Sequence, residues 1–214
     1  MDLRRMIDHT LLKPEATAAD IRALCEEAKE RNFKAVCIPP RFVPLAKEQL
    51  QKTDTVVCTV IGFPLGYNTT AQKAAEAREA VEAGADEVDM VLAVGALKEG
   101  DTAYVEEDIR AVRAASEGRI LKVILETCLL TEEEIRTASR MAVEAGADFV
   151  KTSTGFSTGG ATVNAVQWMK ETVGAQAEVK ASGGIRDKET AIKMIEAGAT
   201  RLGTSSGMAL TETV

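Results

Sequence analysis

The chain has 214 residues, 45% hydrophobic and 28% charged, with a formal net charge of −7. That is enough for one globular domain with a real core. The acidic balance, without a basic stripe interleaved with aromatics, argues against a nucleic-acid partner, and no apolar run approaches the ~20 residues that span a membrane. The N-terminal MDLRRMIDHTLLKP lacks the apolar stretch and cleavage site of a signal peptide. Cys25, Cys37, Cys58 and Cys128 form no CxxC pair, so they read as reduced thiols of a cytoplasmic chain. With His9 as its one histidine, the sequence offers no zinc cluster and no Ser-His-Asp triad. No metal and no cofactor are expected.

Taken in chain order, short β-branched runs alternate with amphipathic stretches. Strands are expected at 6–10, 35–39, 55–62, 87–92, 121–126, 149–153, 178–182 and 201–205, and helices at 17–31, 40–50, 69–83, 101–116, 131–145, 161–172 and 187–197. Thr17 is positioned to cap the first helix, which puts Ile21, Leu24, Cys25 and Ala28 on one face. Pro44 falls inside the second, whose true start is expected near it. Eight strands at about 27 residues per unit favour parallel strands with helical crossovers, a (β/α)8 TIM barrel forming a single domain over 1–214.

An internal repeat supports this. EAGADEVDMV (82–91), EAGADFVKTS (144–153) and EAGATRLGTS (196–205) each end a helix at a glycine and enter a strand within three residues. Aligning the glycines puts Asp89, Lys151 and Gly203 in register. Alone, EAGA is a common helix stop; three copies speak for architecture and not yet for chemistry.

The strands carry unusual charge: Asp8, Glu87, Asp89, Lys122, Glu126, Lys151, Glu178 and Lys180. By alternation, Lys122, Ile124 and Glu126 should share a face, as should Phe149, Lys151 and Ser153. Glu87 and Glu178 stand at strand starts and read as solvated or paired end charges. Lys151 and Lys180 differ, because each precedes a small, glycine-rich run (TSTG, ASGG) of the kind that rims barrel active sites. A lysine has an ordinary pKa near 10.4. A second ammonium about 5 Å away, at an effective dielectric of about 20, costs the charged form ~3 kcal/mol. One of the two can then attack a carbonyl as a neutral amine and form a Schiff base, an electron sink for the adjacent carbon–carbon bond. Asp89, Asp8 and Lys122 could move the protons, directly or through water. Beyond the last two strands, SGGIRD (182–187) and GTSSG (203–207) have the composition and position of a barrel phosphate site, with Arg186 adding charge.

The segments IDHTLLKP, AVCIPP, VVCTVIGFPLG, GADEVDMV, LKVILET, GADFVKTSTGF, VKASGGIR and RLGTSSG span nearly the whole chain. In this order they closely resemble the deoxyribose-phosphate aldolase family, class I (Schiff-base) lyases. The resemblance implies metal-free, reversible cleavage of 2-deoxy-D-ribose 5-phosphate to D-glyceraldehyde 3-phosphate and acetaldehyde. It assigns Lys151 to the Schiff base, Lys180 to the neighbouring ammonium that favours its neutral form, and Asp89 to proton transfer. Asp8 and Lys122 fall to the supporting polar network, Thr10 to the sugar, and Gly183, Gly184, Ser205 and Ser206 to the phosphate. Some members carry a second lysine after KTSTG; here the position is Phe156, which leaves more of the phosphate charge to Arg186 and backbone N–H groups. Cys37 reads as a small buried hydrophobe.

Two alternatives stay open on the residues. Another phosphosugar-binding barrel enzyme (isomerase, epimerase or transaldolase-like) would share the phosphate loops without needing both strand lysines and Asp89. A non-catalytic phosphate-binding barrel would have no reason to keep them. Exposed apolar helix faces and family habit favour a homodimer or homotetramer acting on small phosphosugars and aldehydes, with no membrane partner.

Overall fold

The computed structural model describes residues 2–212; Met1, Thr213 and Val214 lie outside it. Eight parallel strands, β1 (Ile7–Thr10), β2 (Ala35–Ile38), β3 (Val56–Ile61), β4 (Glu87–Val91), β5 (Ile120–Ile124), β6 (Phe149–Lys151), β7 (Glu178–Ser182) and β8 (Arg201–Thr204), close in chain order. β8 pairs back onto β1 through Asp8 and Gly203. Around them run α1 (Ala18–Arg31), α2 (Val43–Gln49), α3 (Thr70–Glu82), α4 (Val94–Glu99), α5 (Thr102–Ala115), α6 (Glu132–Glu144), α7 (Val163–Val173), α8 (Lys188–Glu196) and the short α9 (Gly207–Leu210). The architecture is the expected (β/α)8 barrel.

Local chemistry sets the helix boundaries. Thr17, Thr69 and Thr131 each build a capping box with Asp20, Gln72 and Glu134 respectively, satisfying two otherwise orphaned N–H groups at each helix start. At the other end, the three EAGA copies behave alike. Gly84, Gly146 and Gly198 take φ of 107°, 91° and 114°, a region that costs residues with a Cβ. The next N–H then reaches back five residues, Ala85 to Ala80, Ala147 to Ala142 and Ala199 to Met194, closing a Schellman motif. One residue further, the N–H groups of Asp86, Asp148 and Thr200 bond the strand before, at Val57, Leu121 and Val179. The repeat is thus a device for turning a helix straight into the barrel ladder.

Three expectations need correcting. The run at 94–99 forms α4, unforeseen because Gly95 weakens its helical signal. β5 ends at Ile124, and Glu126 adopts a left-handed φ of 57° that turns the chain out, so Glu126 does not continue the face of Lys122. β6 is three residues long; Thr152 and Ser153 belong to the rim. α2 does begin near Pro44, at Val43.

Alternation along the strands separates two interiors. Outward residues such as Val36, Val57, Val88, Val123, Val150, Val179 and Leu202 pack with the helices in one large apolar core. Inside the barrel, Ala35, Cys37, Cys58 and Val60 make a small apolar cluster on β2 and β3. The remaining inward positions are largely ionic.

Candidate active site

Each charged side chain of the interior is delivered by the pleat of its own strand. Asp89 lies in register with Lys122 on β5, and Lys151 with Lys180 on β7. The hub is Asp89, fully buried. Its Oδ2 accepts from Lys151 Nζ and Lys180 Nζ, each at 2.8 Å, and its Oδ1 accepts from Lys122 Nζ at 2.7 Å and from the Cys58 thiol at 3.1 Å. Asp8 accepts from Lys180 at 2.5 Å and, on its other oxygen, from Arg201 at 2.7 Å. Glu87 lies 3.0 Å from Arg201 and 2.5 Å from Lys122.

The electrostatics follow from this packing. Burial alone would raise Asp89, but Lys122, Lys151 and Lys180 outweigh it and hold the carboxyl well below its usual range. Asp8 behaves likewise, with Lys180, Arg201 and Lys122 overcoming desolvation. For Lys180, burial favours the neutral amine, yet Asp8 and Asp89 more than reverse it, so its ammonium persists above the ordinary range. Lys122 is held up in the same way, by Asp89 first. Burial pushes the Cys58 thiol well up, which keeps its proton available to Asp89.

Above this network a cavity of about 250 Å³ opens at the carboxyl ends of the strands. Lys151 lines it, whereas Lys122 and Lys180 do not. Thr10, Gly183, Gly184 and Ser205 line it as well, together with Arg186 and Lys13. Gly183 has a φ of 86°, and a Cβ there would stand 2.9 Å from Gly160 Cα, so the loop needs glycine. Thr10 donates its hydroxyl to the Asp8 carbonyl at 2.8 Å. Ser206 falls outside the lining, and its N–H bonds Thr204 Oγ1 at 2.9 Å. Phe156 is half exposed and meets Phe63 edge-on with centroids 5.3 Å apart.

The sequence-selected Lys151, Lys180, Asp89, Asp8 and Lys122 therefore meet at one point. Arg201 and Cys58 were not foreseen, and Glu87 was read as an end charge; it is paired, but buried rather than solvated, while Glu178 is exposed. The signal for two of them was present in the repeat. The alignment that matches Asp89, Lys151 and Gly203 also matches Glu87, Phe149 and Arg201 two residues earlier, on the same face. His9 points out of the barrel to Glu27 on α1, at 2.6 Å. Cys37 is buried in register with Cys58, and their thiols lie within 4.8 Å of Asp89. This grouping fits a metal poorly, since the Asp89 oxygens already hold three ammonium groups that a cation would have to displace.

A profile described as DeoC/LacD family aldolase matches residues 4–211. A deoxyribose-phosphate aldolase of Carboxydothermus hydrogenoformans is 63% identical over 212 residues, covering 97% of this chain and 93% of the relative. One from Brevibacillus brevis is 60% identical over 210 residues, covering 98% and 95%. The solved tetrameric structure of deoxyribose phosphate aldolase from Aeropyrum pernix superposes with a TM-score of 0.89 at 33% identity, covering 98% of this chain and 89% of that one.

Proposed function

The chain belongs to the DeoC/LacD aldolase family, and on that premise we propose that it is a deoxyribose-phosphate aldolase working through a Schiff base on Lys151. The observation that carries this reading is Lys151 itself. It is the one network lysine that lines the cavity, and it shares a single carboxylate oxygen with an ammonium that stays charged.

The neutral Lys151 amine adds to the C1 aldehyde of open-chain 2-deoxy-D-ribose 5-phosphate, and water leaves to give the iminium. Loss of the C3 hydroxyl proton lets the C2–C3 bond break. Its electrons flow into the iminium as an enamine, and D-glyceraldehyde 3-phosphate departs. Protonation at C2 and hydrolysis then release acetaldehyde and Lys151. Asp89, bonded to Lys151, serves the proton transfers with water. Lys180 holds its proton beside Asp89, with Asp8 and Lys122 fixing the charges around it. Thr10 contacts the sugar. Gly183, Gly184, Ser205 and Ser206 bind the phosphate, reinforced by Arg186, with Ser206 contributing at most its hydroxyl.

We further read the chain as a single domain that assembles as a homodimer or homotetramer in the cytoplasm. Exposed Leu65, Tyr67 and Leu129, which lie on loops and a 3-10 turn rather than on the expected helix faces, support assembly, and the four free thiols suit a reducing compartment. Among the described residues no helix is long and apolar enough to cross a membrane.

Incubation with acetaldehyde and borohydride, followed by peptide mapping, tests the reading. An N-ethyl group is expected on Lys151. Folded protein that acquires no adduct there, or that fails to cleave the phosphosugar, would sink it.

A further inference from the structure

The ion pairs of the barrel interior form a closed circuit. It runs from Lys180 to Asp8 (2.5 Å), Arg201 (2.7 Å), Glu87 (3.0 Å), Lys122 (2.5 Å), Asp89 (2.7 Å) and back to Lys180 (2.8 Å). The signs alternate all the way round. Three cations and three anions leave the circuit neutral, and one contact crosses it, Lys122 to Asp8 at 4.0 Å. Among the described residues, Lys151 pairs with Asp89 alone and stands outside the circuit.

We propose that Arg201 and Glu87 are positioning residues that fix the net charge of this circuit, and through it the readiness of Lys151 to give up its proton before attacking the substrate. The inference rests on the reading of Lys151 as the imine-forming lysine.

Neither residue lines the cavity. Both begin their strands at the barrel floor, where the Arg201 guanidinium stacks 5.3 Å from the Phe149 ring centroid. A guanidinium does not deprotonate in proteins, so Arg201 is a constant positive charge against which Asp8 and Glu87 are balanced. The other groups facing the circuit are Cys37 and Cys58, which the small apolar cluster of β2 and β3 encloses. Every strand therefore contributes at least one facing group: Asp8, Cys37, Cys58, Glu87 with Asp89, Lys122, Lys151, Lys180 and Arg201. With the circuit neutral, the charge of Asp89 is already matched, and Lys151 leaves behind a neutral interior when it loses its proton. Making the circuit negative would hold that proton; making it positive would expel it.

The test is the pH profile of single-turnover imine formation with acetaldehyde. Glu87→Gln leaves the circuit with one positive charge, and its acid limb should move to lower pH. Arg201→Met leaves one negative charge, and the limb should move to higher pH. Each shift should be on the order of one pH unit, for a unit charge within about 8 Å at an effective dielectric of about 20. The double variant restores neutrality and should return toward wild type, and Arg201→Lys, which keeps the charge, should stay close to it. A purely structural role would lower the rate without moving the limb in opposite directions. Unshifted profiles, or shifts of the same sign, in a wild-type background that does form the imine overturn this proposal alone. If Arg201→Met does not fold, Glu87→Gln against the double variant decides. A wild-type protein that forms no adduct on Lys151 overturns the reading beneath it as well.

Discussion

Lys73 and Lys151 are both buried lysines bonded to a buried aspartate, and they sit in opposite electrostatic situations. Lys73, on α3 outside the barrel, donates to Asp108 of α5 at 2.5 Å and to the Val91 carbonyl at 3.0 Å. One cation meets one anion, and the side chain has no exposure. Its stem packs on Gly62, where a Cβ would come within 2.9 Å, so it pins two helices to the end of β4. Lys151 has the same partner type at a similar distance, but that partner is already matched by other cations, and a cavity opens above it. Burial is common to both. Stoichiometry and access separate the strut from the proposed nucleophile.

The largest expected effect breaks the chemical side of this contrast. Lys151→Met should lower kcat/KM for phosphosugar cleavage by about 10⁴-fold or more, as removal of a covalent nucleophile does. Its urea midpoint should hold, because the circuit it leaves is neutral; a large loss of stability would contradict that account. Lys73→Met should do the reverse. It strands Asp108 in the core and should cost about 3–5 kcal/mol of stability, with activity per folded molecule nearly intact. Lys73→Met with Asp108→Leu should recover most of the loss, since an apolar pair of similar volume often replaces a buried ion pair without penalty; equilibrium unfolding of all three proteins decides it.

Acid sharpens the comparison next. Asp8 and Asp89 have folded pKa values lowered by their cations. Their contribution to stability is therefore full above the unfolded value of about 3.9 and is lost as pH falls from there through the folded values. Lys180 is raised, so its contribution is full below about 10.4 and is lost only as pH rises through its folded value. The circuit should keep unfolding midpoints flat between these limits, and Asp89→Asn should flatten the acid limb; an unchanged acid limb would deny Asp89 its place. The smallest effect concerns a third kind of cation. Arg186 is exposed at the cavity rim and makes no ion pair among the described residues. Arg186→Ala should lower kcat/KM about 10- to 100-fold for the phosphorylated substrate, the worth of one charged hydrogen bond, and hardly at all for free 2-deoxyribose. Equal losses on both would remove Arg186 from phosphate binding.

The barrel was legible because its signals are local: alternation, capping residues and the EAGA stop all act within a few positions. Lys151, Lys180 and Asp89 stood out because charge interrupts an otherwise apolar strand. Lys73 did not, because a lysine in TAQKAAEAREAVE reads as part of a solvated helix face, and its partner lies 35 residues away. Arg201 and Glu87 stand at strand starts, where charge is ordinarily wet. The closed sheet alone turns them inward and brings them together, and pairing across a closed sheet is not written in any one segment. Glu126 misled for the opposite reason, since a left-handed turn interrupts an alternation that the residue types continue.

The bond between Asp8 and Arg201 joins residues 193 apart in the chain, across the seam where the last strand meets the first. During synthesis from the N-terminus, Asp8 emerges early and Arg201 almost last. In an unfinished chain the partners of the circuit stand apart in solvent, and the cavity that Lys151 lines does not yet exist. On the proposed reading of Lys151, its site is complete only once the seam closes, and aldehyde adduct formation there doubles as a readout that the barrel has shut.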